Sequence, residues 1–354
     1  MRAFEFLTEA PVQAPAQLGK DHVRKVDRIN RAMQSDPAIV DELFKTISLR
    51  VKDEGGKIGD RILAFLNPNG QVRDEDLTFA EPFLMSFAKA IESTEGTTEE
   101  KLEFANTLGK VNHVDGKLLT TPGVSDWDTW LIGTPFSKNL FLTCYSDPAF
   151  QIANKGPGEA ALAFLSPDIT LQSNGGDIAV GDMPIEVKAG VGPSGGRLSP
   201  TTSSVGSLFG NKDFWNTLLP NDPAKALELS RKTGVNSNNY SEFLSANKFG
   251  AAESTKILGS IFLHADAQDL VNAAGKKGEA VTAIEIAKIA IKNYGASQGD
   301  SNFLLLQRDV RKSMFFTVDN VEPVWNVLSF KCPLIDKDAR SQGKPQLGIL
   351  KRGK

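Results

Sequence analysis

The sequence predicts an α/β fold with an N-terminal mainly helical region, and three stretches carry that expectation. Residues 175–198, GGDIAVGDMPIEVKAGVGPSGGRL, hold two strand-type runs, Asp177 to Val180 and Ile185 to Ala189, around the turn-rich Gly181-Asp182-Met183-Pro184 and read as a β-hairpin. Residues 21–53 carry apolar residues at helical spacing, first Val23, Val26, Ile29 and Met33 and then Ile39, Leu43 and Ile47. Residues 278–294 form another helical run, with Val281, Ile284, Ile286, Ile289 and Ile291 inside it, which must be largely buried. Two strand-like runs follow it, Asn302 to Gln307 and Ser313 to Val318.

Taken in order, residues 1–20 end in a Pro, Gln and Ala stretch and read as a flexible tail. Ser35-Asp36-Pro37 divides the next segment into two helices, because it supplies a cap and a proline suited to a first helical turn. Further helices are expected at Phe79–Glu92 and Thr98–Leu108, the latter capped by Thr97 or Thr98 with acids in its first turn. Between 111 and 150, Trp127, Trp130, Phe136, Phe141 and Phe150 are scattered among Gly, Pro, Ser and Asp with no single period, which predicts loops and short strands. Trp127 and Trp130 read as packing residues rather than base-stacking ones. The mainly helical region therefore covers 21–150 and the hairpin-bearing domain 151–340, with 341–354 as a basic C-terminal tail. In the second part, Ser199 to Asn211 has the composition of a loop, and helices are expected at Asp222–Lys232, Ser241–Lys248 and Glu253–His264. Arg308-Asp309-Val310-Arg311-Lys312 is a basic connection between the last two strands.

Composition removes several classes of function. The 354-residue chain is 40% hydrophobic and 23% charged, has no apolar run long enough to span a membrane, and begins without a secretory signal pattern. Its two cysteines, Cys144 and Cys332, belong to no metal-spaced cluster, so a disulfide scaffold or zinc knuckle is not expected and a reducing cytoplasm is. No P-loop, Gly-x-Ser-x-Gly elbow or helix-turn-helix pattern occurs, and His22, His113 and His264 stand singly. The net charge of −3 is uneven: residues 188–354 hold 22 Lys and Arg against 15 Asp and Glu, a balance of +7 that leaves −10 for residues 1–187. The basic half follows the hairpin, as a phosphate-binding surface requires.

Within the hairpin, side chains alternate between faces, which sets Ile185, Val187 and Ala189 against Glu186 and Lys188. On the preceding strand Asp177 is placed to join that polar pair. Two carboxylates and a lysine at the end of a small sheet suit a divalent cation with an ammonium beside it. Glu99-Glu100-Lys101 and Asp115-Gly116-Lys117 repeat the acid-x-Lys spacing, but neither lies in an apolar strand or follows a second acid on another strand.

Asp177 followed by Glu186-Val187-Lys188 resembles the PD-(D/E)xK nuclease superfamily, and the trailing Gly-Gly-Arg-Leu of 195–198 resembles endonucleases carried by tailed phages. Upstream, GPGEAALAFL at 156–165 matches a helix that contributes a further acid in that superfamily, and Glu159 occupies its place. The resemblance covers residues 150–200, with one departure: Gly176 rather than proline precedes Asp177. It implies a restriction-endonuclease-like core, a small mixed sheet flanked by helices, and a Mg2+-dependent endodeoxyribonuclease with Mn2+ as the alternative ion. Asp177 and Glu186 are then the metal ligands with the Val187 carbonyl as a third, Lys188 orients or deprotonates the attacking water, and Glu159 positions the metal or its waters. Double-stranded or branched DNA is the expected partner and a homodimer an expected assembly, in the cytoplasm of a host if the chain is phage-encoded. Arg197, Arg308, Arg311, Lys312, Lys351 and Arg352 are the expected DNA-backbone contacts. The competing expectations are a virion or head-associated protein that keeps a nuclease-type fold and binds DNA without cutting it, and a non-enzymatic DNA-binding regulator.

Overall fold

The computed structural model describes residues 36–53, 74–148, 150–152, 155–172, 175–190, 196–197, 208–274, 283–299, 301–336 and 346–349. The expected first helix of 21–53, the loop at 199–207, and Lys351 and Arg352 lie outside those residues, and of Arg197 only the backbone is described. In chain order the strands are β1 (Gly123–Asp126), β2 (Ile169–Leu171), β3 (Ile178–Val180), β4 (Met183–Gly190), β5 (Gly196–Arg197), β6 (Val235–Asn236), β7 (Asn302–Gln307), β8 (Lys312–Thr317), β9 (Leu328–Lys331), β10 (Pro333–Ile335) and β11 (Gln346–Ile349). The fold is mixed α/β, and none of its described helices is long and apolar enough to cross a membrane.

The chain divides into two compact units, one built from the described residues up to Asp115 with Leu131–Leu171, the other from Gly116–Trp130 with the described residues from Gln172 onward. In the first, the helix Pro37–Asp53 starts where Asp36 Oδ1 accepts the Ala38 N–H at 2.9 Å, and it buries Val40, Leu43, Ile47 and Val51 on one face. Thr97 caps Thr98–Thr107 by accepting the Glu100 N–H at 3.1 Å while its own N–H reaches Glu100 Oε2 at 2.7 Å. Phe83, Phe87, Phe150 and Phe164 fill the core between helices, with Phe87 and Phe164 ring centroids 4.5 Å apart. The stretch 111–150 departs from the expected loops and short strands, because Pro135–Ser146 is a twelve-residue helix. Thr134 caps it by accepting the Ser137 N–H at 3.2 Å, Pro135 opens it, and Phe136, Leu140, Phe141 and Cys144 make its buried face.

The second unit is organised by five strands in the order β1-β8-β7-β4-β3. β4 and β7 are parallel and the other neighbours antiparallel, so the sheet is mixed. A parallel pair needs a long crossover, and the chain between β4 and β7 supplies one that contains the helices from Lys212–Leu218 to Ala283–Gln298. Trp215, Tyr240, Leu258 and Phe262 centre a helical core in that crossover. The Ala283–Gln298 helix then joins two cores: Ile286 and Ile289 enter the helical one, while Ile291 and Tyr294 pack with Phe303, Leu305, Met314 and Phe316 of the sheet. Ile284, expected to be buried, is 40% exposed at the start of that helix. Trp127 and Trp130 are buried, and Trp130 Nε1 donates to Ser313 Oγ at 2.7 Å. Residues 346–349, within the stretch read as a basic tail, form β11 between β5 and β9 and bury Leu347 and Ile349.

Candidate active site

The hairpin is where the alternation put it, with a tighter turn: Gly181 and Asp182 make the turn and β4 begins at Met183. Its register pairs Ile178 with Ile185, Ala179 with Pro184 and Val180 with Met183. That register ends at Ile178 with Ile185, and Asp177 precedes it in a bend beside residues 185–187 of β4. Asp177 is locked there from both ends, since its N–H donates to the Ile185 carbonyl at 2.9 Å and its Oδ2 accepts the Val187 N–H at 3.0 Å. Gly176 makes the approach feasible. It has φ +103°, and a Cβ there would sit 2.9 Å from both the backbone N and the carbonyl O of Ile185. Only glycine combines that conformation with that clearance.

Glu186 and Lys188 lie on the face of β4 shared with Phe303 and Leu305 of β7, the residues paired with them in register. That face is covered by the Ala283–Gln298 helix rather than by water, and Glu186 is only 8% exposed. A buried carboxylate requires partners. Glu186 Oε1 has two, the Lys188 ammonium in a direct ion pair and the Tyr294 hydroxyl, which donates at 2.7 Å. The same ring takes the Lys188 Nζ at 5.7 Å from its centroid.

These groups suit a hard divalent cation. Both donors to Glu186 converge on Oε1, and among the described residues no hydrogen bond reaches its second oxygen. On a strand the N–H and C=O of one residue point to the same side, so the Val187 carbonyl faces the Asp177 side along with its N–H. Asp177, Glu186 and the Val187 carbonyl offer oxygen atoms, the donor type that Mg2+ and Mn2+ accept. Among the described residues, no three His, Cys, Asp or Glu side chains converge as a metal-holding group, so the set depends on that backbone oxygen.

Glu159 belongs to the first unit. It is the third residue of the Pro157–Leu165 helix, the helix expected to begin near Gly158, and it is buried. Its carboxylate folds back over its own helix start, where a Cβ on Gly156 would be 2.9 Å from Oε2. The basic connection forms the β7–β8 turn. Lys312 there is paired with Asp126 at 2.7 Å, and Arg311, with φ +50°, is exposed while its carbonyl accepts the Trp127 N–H at 3.0 Å. The turn lies at the same end of the sheet as the close of β4, because Gly190 pairs with Gln307 and Arg308 follows directly.

Two residues at the site escaped the sequence reading. Tyr294 is one, and the available signal was a hydroxyl-bearing residue three positions beyond Ile291 on an apolar stripe, since a buried tyrosine needs an acceptor. Gln307 is the other: it is fully buried, and its amide accepts the Ile349 N–H at 2.6 Å and donates to the Ile349 carbonyl at 3.4 Å, which ties β11 to the end of β7. Comparison of the chain with family models, with curated proteins and with solved structures returns no match.

Proposed function

We propose that this protein is a metal-dependent DNA endonuclease that hydrolyses phosphodiester bonds. The observation that carries the reading is the bond from the Val187 N–H to Asp177 Oδ2, which brings that carboxylate to the strand between Glu186 and Lys188, two side chains that share a face of β4 and touch each other. Asp177, Glu186 and the Val187 carbonyl would hold a Mg2+ or Mn2+ ion, which when bound lowers the pKa of a coordinated water and neutralises charge on phosphate. Hydrolysis joins a water oxygen to phosphorus as the bond from phosphorus to a sugar oxygen breaks; the water loses a proton and the leaving oxygen gains one. Lys188, 24% exposed at its side chain, reaches solvent from the buried ion pair and can orient water or a phosphate oxygen as a donor. Glu186 holds that ammonium in place, and Asp177 fixes the strand end by capping the Val187 N–H. The basic balance of residues 188–354 and the Arg308–Lys312 turn at the close of β4 and β7 supply charge for the DNA backbone.

The test separates cutting from binding. Wild-type protein is expected to cut DNA in Mg2+ and to stop in a chelator, while Lys188→Ala cuts no DNA yet binds it with nearly unchanged affinity, because one charge is a small part of an electrostatic footprint. Binding without cutting by the wild-type protein at all Mg2+ and Mn2+ concentrations would favour a non-cleaving DNA-binding protein instead.

A further inference from the structure

Glu186 and Lys188 come from β4 and Asp177 from the bend before β3, but the conformation of Glu186 is set from the Ala283–Gln298 helix. We propose that Tyr294 is the positioning residue of the cation site, an inference that rests on the reading of Asp177, Glu186 and Val187 as its oxygen donors. The tyrosine is 3% exposed, too buried to touch a nucleic acid, and whatever it does for the site it does through Glu186 and Lys188.

Its ring is held by packing against Phe303, with centroids 5.8 Å apart, and within the cluster of Ile291, Leu305 and Phe316. From that fixed base the hydroxyl donates to Oε1 of Glu186. The carboxylate is thereby oriented: Oε1 is engaged by the two protein donors and the second oxygen is the one left for a cation. The ring meanwhile bears the Lys188 ammonium at 5.7 Å, so one side chain orients both the acid and the cation of the Glu-x-Lys pair. Groups that hydrogen-bond a metal ligand from outside the coordination sphere typically alter affinity by about 10- to 100-fold when removed. Tyr294→Phe deletes the hydroxyl alone and keeps the ring that packs on Phe303 and faces Lys188.

The experiment is calorimetric titration of the full-length protein with Mn2+ as the probe, in the absence of DNA, for wild type, Tyr294→Phe, Glu186→Gln and the double variant, each first checked for a cooperative melt. Tyr294→Phe is expected to weaken Mn2+ binding by about 10-fold. In the Glu186→Gln background the same change is expected to alter the dissociation constant by no more than about twofold, because two residues that act through one contact are not additive. A merely structural tyrosine would lower the melting temperature and leave the Mn2+ dissociation constant unchanged. Equal affinity in wild type and Tyr294→Phe, or an equal loss in both backgrounds, overturns the role of Tyr294 and leaves the cation site standing. No Mn2+ binding by the wild-type protein overturns the cation site, and the positioning role with it.

Discussion

Tyr294 and Glu186 meet across 108 positions of sequence, the tyrosine hydroxyl donating to Glu186 Oε1 at 2.7 Å in the buried interior of the second unit. This contact couples the proposed site to the stability of the fold. Glu186→Ala removes the acceptor of that hydroxyl and the partner of the Lys188 ammonium together. It is expected to destabilise the protein by about 1–3 kcal/mol, whereas Glu186→Gln, which keeps an acceptor oxygen, loses much less. Urea denaturation of the two variants checks this, and equal stabilities would mean that the contact contributes nothing to the fold.

Gly176→Ala tests the strand end that carries Asp177. The substitution forces a side chain into φ +103° and to 2.9 Å from the Ile185 backbone. Left-handed strain alone costs on the order of 1–3 kcal/mol, and relief of the clash displaces Asp177 from β4. The melting temperature and Mn2+ affinity are expected to fall together. A variant with unchanged melting temperature would show that the approach of the two strands is looser than described.

The site was legible where local pattern decides structure and hidden where distant segments meet. The run Asn302 to Gln307 is a strand with the expected bounds, and the Thr97 cap and the Pro157–Leu165 helix stand where turn and cap chemistry indicate. Pro135–Ser146 was obscured because its stripe of Phe136, Leu140, Phe141 and Cys144 lies among other aromatics that belong to different elements, although Thr134-Pro135 is a helix-start signal. The hairpin alternation gives the face of Glu186 but not what covers that face. Pairing of β4 with β7 and the tyrosine contact depend on a crossover of more than a hundred residues, and no period in either segment encodes the other.

His113 supplies a pH dependence that belongs to the first unit. It is 8% exposed, packs against Phe104 with ring centroids 5.2 Å apart, and among the described residues no hydrogen bond reaches its Nδ1; burial pushes its pKa below the ordinary 6.5. The folded protein therefore binds the proton more weakly than the unfolded chain. This contribution to stability is fully present above pH 6.5 and is lost as pH falls from 6.5 through the lowered folded value. The added slope is at most one proton, about 1.4 kcal/mol per pH unit. Urea denaturation from pH 7.5 down to 5 is expected to show it in wild type and not in His113→Leu, and identical slopes would remove His113 as its source.

Gln307 and Ile349 indicate how the C-terminus should be truncated. Removing β11 would strip the buried Gln307 amide of both backbone partners and take Leu347 and Ile349 out of the core, so a deletion that reports on DNA binding must begin at Leu350. Deletion of 350–354 removes Lys351, Arg352 and Lys354. If each contacts a phosphate, the slope of log K against log salt falls by about 0.9 per residue on duplex DNA. An unchanged slope would exclude the terminus from the DNA-binding surface.

The central claim is that Asp177, Glu186 and Lys188 form a cation-dependent hydrolytic site, and cleavage of supercoiled plasmid and of branched DNA measures it most directly. The wild-type protein is expected to nick or linearise DNA with Mg2+ or Mn2+ and to leave it intact in chelator, while Asp177→Asn and Glu186→Gln leave it intact in both. Intact DNA with the wild-type protein under every cation condition, or cleavage by Asp177→Asn and Glu186→Gln at the wild-type rate, would contradict it.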